Sequence, residues 1–199
     1  VYAEPYDHTR WSQHVERVAA LVEMAKTIQP RPTSVADLAC GDGALASQWA
    51  RWASDQASHP VRVILGDLVP GWPICGPIED TIGGIGEVEL FVLSEAVEHL
   101  DDPELVMRRI ARHARWMLLS TPIGEIEPAI NPEHYWGWDI DGIRELLEST
   151  GWTPREVRTL VPRDGGVYTF QLWLAERTVS SDGVPIMSDD TVDPVGGHH

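Results

Sequence analysis

The run Val-Ala-Asp-Leu-Ala-Cys-Gly-Asp-Gly-Ala-Leu-Ala at residues 35–46 restricts the fold more than any other stretch of the chain. An apolar, β-leaning start (Val35, Ala36, Leu38) passes through small residues and two glycines into helix formers (Ala44, Leu45, Ala46, Ser47, Gln48), which predicts strand, tight turn and helix in succession. Gly41 and Gly43 can take backbone angles closed to other residues and, lacking Cβ, let a ligand approach the main chain. The helix that follows offers unpaired amides at its start. A plain strand-to-helix turn with no ligand is the alternative reading.

Gly41-Asp42-Gly43-Ala44-Leu45-Ala46 formally satisfies the dinucleotide pattern Gly-x-Gly-x-x-Gly/Ala. A pyrophosphate there would lie close to the carboxylates of Asp37 and Asp42, and like charges repel. A cofactor with a positive end would be welcomed. Asp37-Leu38-Ala39-Cys40-Gly41-Asp42-Gly43 resembles the first motif of the class I S-adenosylmethionine-dependent methyltransferases, acid-x-Gly-x-Gly-x-Gly, with Ala39 in place of the first glycine. The resemblance implies S-adenosyl-L-methionine as cofactor, its methionine part held by Asp37 and the amides around Ala39, Gly41 and Gly43.

A second signal follows an apolar run (Val88, Leu90, Phe91, Val92, Leu93) that suits a strand buried on both faces. It opens directly into Ser94-Glu95-Ala96-Val97-Glu98-His99-Leu100. Delivering two glutamates and a histidine to a buried strand end is a poor use of the fold unless the place is polar for a reason. The segment resembles the family's fourth motif, Ser-Glu-apolar-apolar-Glu-His-apolar. That implies Ser94 beside the methyl donor, with Glu98 and His99 toward the acceptor; the plainer reading makes His99 a tie between loops.

Residues 1–32 form an arm with Tyr6 and His8, then a helix whose Trp11, Val15, Val18, Leu21, Val22 and Ala25 recur at helical spacing. This arm is either a lid over the cofactor or a helix packed on the sheet edge. Val61 to Leu65 reads as a doubly buried strand ending at Gly66-Asp67, which places Asp67 to hold the adenosine ribose. Only Leu-Val-Pro-Gly-Trp-Pro-Ile-Cys-Gly follows, too short and proline-rich for the helix usual in the family. Residues 74–82 resemble its third-strand motif with Pro77 at the usual aspartate position, which leaves adenine contacts to the Ile78 amide and Glu79.

After a fifth strand at 116–120, the stretch 123–138 carries Glu125, Glu127, Asn131, Glu133, His134, Tyr135, Trp136 and Trp138. It suits a pocket wall for a small organic acceptor, or a surface flap. A helix capped by Asp139 and two strand-like segments, 152–161 and 166–176, complete the pattern, the last two as an antiparallel pair at the sheet edge. The expected fold is α/β: a doubly wound, mostly parallel seven-stranded sheet with helices on both faces, its last strands antiparallel and the helix after the second strand abbreviated. The methyltransferase domain is expected over residues 33–177, followed by an acidic flexible tail at 178–199.

A net charge of −16, from 15 basic and 31 acidic residues, argues against a nucleic-acid backbone as partner. The cluster Arg108, Arg109, Arg112 and Arg115 reads as the solvated face of one helix. Cys40 and Cys75 lack disulfide or metal spacing and read as reduced and buried. No membrane-spanning run or leader is visible, so a cytoplasmic location is expected. The expected activity is methyl transfer to a small-molecule hydroxyl or amine, with His99 or His134 as base for a hydroxyl. Glu95, Glu98, His99 and His134 are also similar to the metal-binding set of the small-RNA 3′-end 2′-O-methyltransferases. A non-catalytic scaffold is the alternative from another class, which Ala39, Pro77 and the missing helix favour and the intact Asp37, Gly41, Gly43, Asp67 and Ser-Glu-x-x-Glu-His set disfavours.

Overall fold

The structure, a computed structural model, describes residues 5–57, 59–124, 133–165 and 168–179. Its sheet consists of β1 (Ser34–Asp37), β2 (Arg62–Asp67), β3 (Ile74–Cys75), β4 (Val88–Ser94), β5 (Ala114–Pro122), β6 (Trp152–Leu160) and β7 (Phe170–Arg177), in the spatial order β3-β2-β1-β4-β5-β7-β6. The first five strands are parallel, and β7 runs antiparallel to both β5 and β6. Strand order reverses between β1 and β4, and a crevice for ligands is expected outside the carboxyl ends of strands at such a point.

Alternation along the strands builds a core on each face. Val35, Leu90, Val92, Leu118 and Leu172 pack beneath α1 (Ser12–Ala25) and α2 (Ala44–Asp55). Ala36, Phe91, Leu93, Met117, Leu119 and Trp173 face the opposite way, toward α3 (Ile78–Thr81), α4 (Pro103–His113) and α5 (Ile140–Ser149). Asp102 starts α4 by accepting from the Leu105 amide at 2.9 Å, with Pro103 at the first position. Asp139 caps α5 through the Gly142 amide at 2.7 Å. Each cap satisfies a donor that the helix itself leaves unpaired.

Several expectations are corrected. Strand β2 is not buried on both faces: Arg62 and Val63 are exposed. The connection to β3 carries no helix, as expected, so among the described residues this face is left open, and a groove of about 450 Å³ runs beside α2, lined by Ala50, Val61, Val63, Leu65 and Trp72. Cys75 is exposed because β3 is a two-residue edge strand. Trp11 precedes the first turn of α1 and is exposed with Val15, because the helix buries the stripe His14, Arg17, Val18, Leu21, Val22 and Ala25 instead. Arg115 belongs to β5, where it pairs with Glu176, and Arg109 donates to the Glu79 carbonyl, so the four arginines do not form one solvated helix face. Among the described residues no helix is long and apolar enough to cross a membrane.

Candidate functional site

β1 delivers its chain into the glycine turn with Gly41 at φ 54° and Gly43 at φ 71°, both left-handed. An added Cβ on Gly41 would come within 2.7 Å of the Tyr6 carbonyl oxygen; on Gly43 it would meet Leu65 at 3.0 Å and Trp72 at 3.1 Å. Glycine is required at both by backbone angle and by close approach of neighbours. The N-terminal arm thus lies directly over the turn. His8 fixes it there: its amide donates to Asp42 Oδ2 at 3.0 Å and its ring Nδ1 meets Asp42 Oδ1 at 2.6 Å. Trp72, in the shortened connection, closes the other side by donating Nε1–H to the Gly41 carbonyl at 2.8 Å.

The acids of this end are tied to backbone amides. Asp67 Oδ2 accepts from the Gly41 amide at 2.8 Å and Oδ1 from the Val69 amide at 2.9 Å. A carboxylate has about four acceptor positions, so Asp67 retains capacity for further donors. Asp37 is fully buried and accepts from the Ala39 amide at 3.3 Å. Burial pushes its carboxyl up to about 8, and the nearby Asp67 charge adds to the rise. Ile78 is buried in α3, while Glu79 beside it is half-buried.

β4 delivers the second cluster. Ser94 Oγ lies 2.8 Å from Ser120 Oγ on the adjacent β5. Glu95 takes φ 52°, the positive angle that a non-glycine residue adopts at a cost of about 1–2 kcal/mol. Its carboxylate accepts from Ser120 Oγ at 2.9 Å and pairs with Arg17 Nη1 at 3.0 Å. The next turn, Val97–His99, buries Glu98 completely. Thr121 donates to Glu98 Oε2 at 3.0 Å, whereas Glu98 Oε1 has no hydrogen-bond partner among the described residues. Burial raises the Glu98 carboxyl, an effect opposed by His99 and His134.

The segment after residue 132 is stapled to this turn. The amides of Tyr135 and Trp136 donate to the Glu98 carbonyl at 2.8 and 3.3 Å, and Trp136 Nε1 donates to the Leu100 carbonyl at 2.8 Å. His134 is thereby brought against His99, with ring centroids 4.7 Å apart and the planes near perpendicular. His99 Nδ1 lies 2.8 Å from the Glu133 carbonyl. A carbonyl only accepts, so Nδ1 carries the proton of the neutral ring and Nε2 keeps its lone pair. Trp136 and Trp138 stack at 5.8 Å, with Tyr135 and Trp136 exposed beside them. Glu125, Glu127 and Asn131 lie outside the described residues.

Ligand-capable atoms of Glu98, His99 and His134 all lie within 4.8 Å of one another, a donor set able to hold a divalent ion. Glu95 is not part of that group, because it is turned toward Arg17 and Ser120, so the four-residue metal set is not assembled.

Sequence reasoning missed Arg17 and Trp72. Arg17 is 1% exposed, stacks over Phe170 at 5.5 Å and lies in the field of Glu98, Asp37 and Asp42. Its signal was present: residues 14, 17, 18, 21, 22 and 25 keep one helical stripe, with His14 and Arg17 as its polar end. Trp72 carried no signal beyond its place among prolines.

The strand order, with the glycine turn after β1 and an acid, Asp67, closing β2, is the fold of the class I S-adenosylmethionine-dependent methyltransferases. Among solved structures, the chain is similar to a Burkholderia thailandensis 1,6-didemethyltoxoflavin-N1-methyltransferase with bound 1,6-didemethyltoxoflavin and S-adenosylhomocysteine (TM-score 0.66, 16% identity, 84% of each chain covered). It is also similar to the N-methyltransferase NodS of Bradyrhizobium japonicum WM9 in complex with S-adenosylhomocysteine (TM-score 0.63, 14% identity, covering 83% of this chain and 87% of that one). A third is magnesium protoporphyrin IX methyltransferase of Synechocystis PCC 6803 with S-adenosylhomocysteine (TM-score 0.60, 14% identity, 83% and 84% covered). No family model and no curated protein matches the chain.

Proposed function

We propose that this chain is an S-adenosylmethionine-dependent methyltransferase acting on a hydroxyl group of a small molecule. The observation that carries the reading is the pairing of His99 and His134, 4.7 Å apart beside buried Glu98, at the same edge of the sheet as the glycine turn. The donor set around that turn fits the cofactor. Asp42 and Asp67 make it acidic, which suits a ligand with an ammonium and a sulfonium and repels a pyrophosphate, and Asp37 adds its charge once a cationic ligand draws off its proton.

In this reading Asp37 and the amides around Ala39, Gly41 and Gly43 hold the methionine part. Asp67 uses its remaining acceptor positions for the ribose, the Ile78 amide and Glu79 border the adenine, and Ser94 lies beside the transferred group. The bound donor supplies an already activated methyl group, so the protein's work is alignment, water exclusion and removal of the acceptor's proton. His99 suits the last task because its Nδ1–H is committed to the Glu133 carbonyl and Nε2 is left as the acceptor of a proton. An amine acceptor would need no such base. Two of the similar structures are N-methyltransferases by name, so the paired histidines are what favours oxygen here. Tyr135, Trp136 and Trp138 offer a flat acceptor an aromatic wall. Residues 1–32 act as the lid of a domain over 33–177.

Calorimetric titration with S-adenosylhomocysteine and with NAD, each with and without Mn²⁺, tests the donor. Micromolar binding of the first alone is expected; binding of neither would place the scaffold reading first. Release of S-adenosylhomocysteine in the presence of phenolic or sugar hydroxyls, but not amines, tests the acceptor, and the reverse preference would overturn the hydroxyl assignment.

A further inference from the structure

Glu98 keeps a hydrogen-bonding atom that the described residues do not use. The residue is 1% exposed. Thr121 Oγ1 anchors the carboxyl group by donating to Oε2 at 3.0 Å, while Oε1 is buried without a hydrogen-bond partner among the described residues. Its charge is answered, because Arg17, His99 and His134 lie in its field. What is left over is a directed bond, and a buried oxygen that makes none is costly.

His99 cannot supply that bond in its neutral form. Its Nδ1–H goes to the Glu133 carbonyl at 2.8 Å, so the ring has no second proton to give. Arg17 turns Nη1 toward Glu95 instead. Oε1 therefore calls for a group that arrives with the acceptor. Burial raises the Glu98 carboxyl, so the group has use for a partner that meets both its ionised and its protonated form. A hydroxyl donates and accepts and does so, whereas an ether oxygen only accepts and an ammonium only donates. A carboxylate oxygen of Glu98 and ring nitrogens of His99 and His134 lie within 4.8 Å of one another. Sites that close suit hydroxyls on neighbouring carbons, whose oxygens stand about one hydrogen-bond length apart. The approach runs past His99, which is only partly buried.

We propose that Glu98 binds the acceptor, and that the acceptor is a vicinal diol: one hydroxyl faces His99 Nε2 and is methylated, and its neighbour bonds to Glu98 Oε1. The assignment rests on the methyltransferase reading with a hydroxyl acceptor and narrows its substrate class. The reacting hydroxyl gives its proton to His99 Nε2 as its oxygen bonds to the methyl carbon and the carbon–sulfur bond breaks, the electron pair staying on sulfur. The neighbouring hydroxyl keeps its proton. An ether oxygen has none to donate, so a singly methylated diol is a poor acceptor and transfer stops after one methyl group. Catechols and sugars are two sources of the same pair of hydroxyls.

The test measures S-adenosylhomocysteine release from matched acceptors, each with and without a chelator: catechol against phenol and its 1,3-isomer resorcinol, and cis-1,2-cyclohexanediol against cyclohexanol. In at least one set the vicinal diol is expected to exceed the single hydroxyl in kcat/KM by about 10- to 100-fold, as for a hydrogen bond to a charged group. Resorcinol and guaiacol, the singly methylated catechol, should follow phenol. The set with the larger ratio tells an aromatic diol from a sugar-like one. Glu98→Met should cut the ratio to about threefold or less, and Glu98→Gln should keep part of it. A merely structural role would slow both members of a set alike and leave the ratio unchanged, which would overturn the proposal. The wild-type ratio is a test by itself should the variants not fold. Equal turnover of diol and single hydroxyl would mean that Oε1 meets only water and would also overturn it. So would a preference that disappears with the chelator, which would route the contact through a metal ion, or no turnover of any hydroxyl by a protein that still binds S-adenosylhomocysteine. Failure to bind S-adenosylhomocysteine would overturn the donor reading itself, and this assignment with it.

Discussion

Around the glycine turn, Asp37, Asp42 and Asp67 direct their oxygens to backbone amides of the turn itself, the following residue pairs and the overlying arm. After β4 the glutamates reach across the fold instead: Glu95 to Arg17 and Ser120, Glu98 to Thr121, with one Glu98 oxygen left unpartnered among the described residues. The first cluster is therefore held in shape mainly by bonds two residues long, with two longer ties, Gly41 to Asp67 and His8 to Asp42. The second depends on α1, β5 and the segment after residue 132 arriving together, and it carries the positive φ of Glu95. Strain and unsatisfied polar groups concentrate where groups are set for chemistry rather than for stability.

Substitutions can break or sharpen that contrast. The largest effect is expected on the acceptor side: His99→Ala should slow methyl transfer to a hydroxyl by about 10²- to 10⁴-fold while leaving S-adenosylhomocysteine affinity within about threefold. An S-adenosylhomocysteine-release assay with parallel calorimetry checks both, and an unchanged rate would remove the division between the clusters. On the donor side, Asp37→Asn should weaken S-adenosylhomocysteine by about 20- to 100-fold.

Asp37 also sets a pH dependence. Its folded pKa of about 8 stands above the usual 3.8, so the native state without ligand holds a proton that the unfolded chain has released. Stability contributed by the protonated group is thus lost as pH rises from about 4 to 8. A cationic ligand favours the ionised form, so its binding should tighten as pH approaches 8 and release a proton. Thermal melts over that range, and titration in buffers of different ionisation enthalpy, should show both trends in the wild type and neither in Asp37→Asn.

Smaller effects refine the picture. Thr121→Val removes the donor to Glu98 Oε2 and should cost about 1–3 kcal/mol in urea unfolding. Adding Glu98→Gln should return part of that, because an amide is cheaper to bury than a carboxylate. Least affected should be His8→Ala, which frees the arm from Asp42. An expected loss of about 0.5–1.5 kcal/mol, seen as faster ligand dissociation in stopped-flow fluorescence, would show that the lid is latched there; an unchanged off-rate would show that it is not.

By itself the sequence determined the parts whose causes are local. The strand, glycine turn and helix at residues 35–46, the cap at Asp139, a cap at Asp101 or Asp102, which the structure resolves to Asp102, the missing helix after β2 and the polar end of β4 all follow from residues within a turn or two of one another. Only the tertiary structure decided which side of α1 is buried, because apolar spacing favoured Trp11 and Val15 while the polar edge of the sheet drew in His14 and Arg17. It likewise decided that β2 is half open, since burial of a strand depends on what covers it rather than on its own residues. The meeting of His99 with His134, and the turning of Glu95 away from them toward Arg17, depend on contacts between distant segments. Hydrogen bonds and ion pairs of that range leave no period in a sequence, and they form only after the sheet has brought the strand ends side by side.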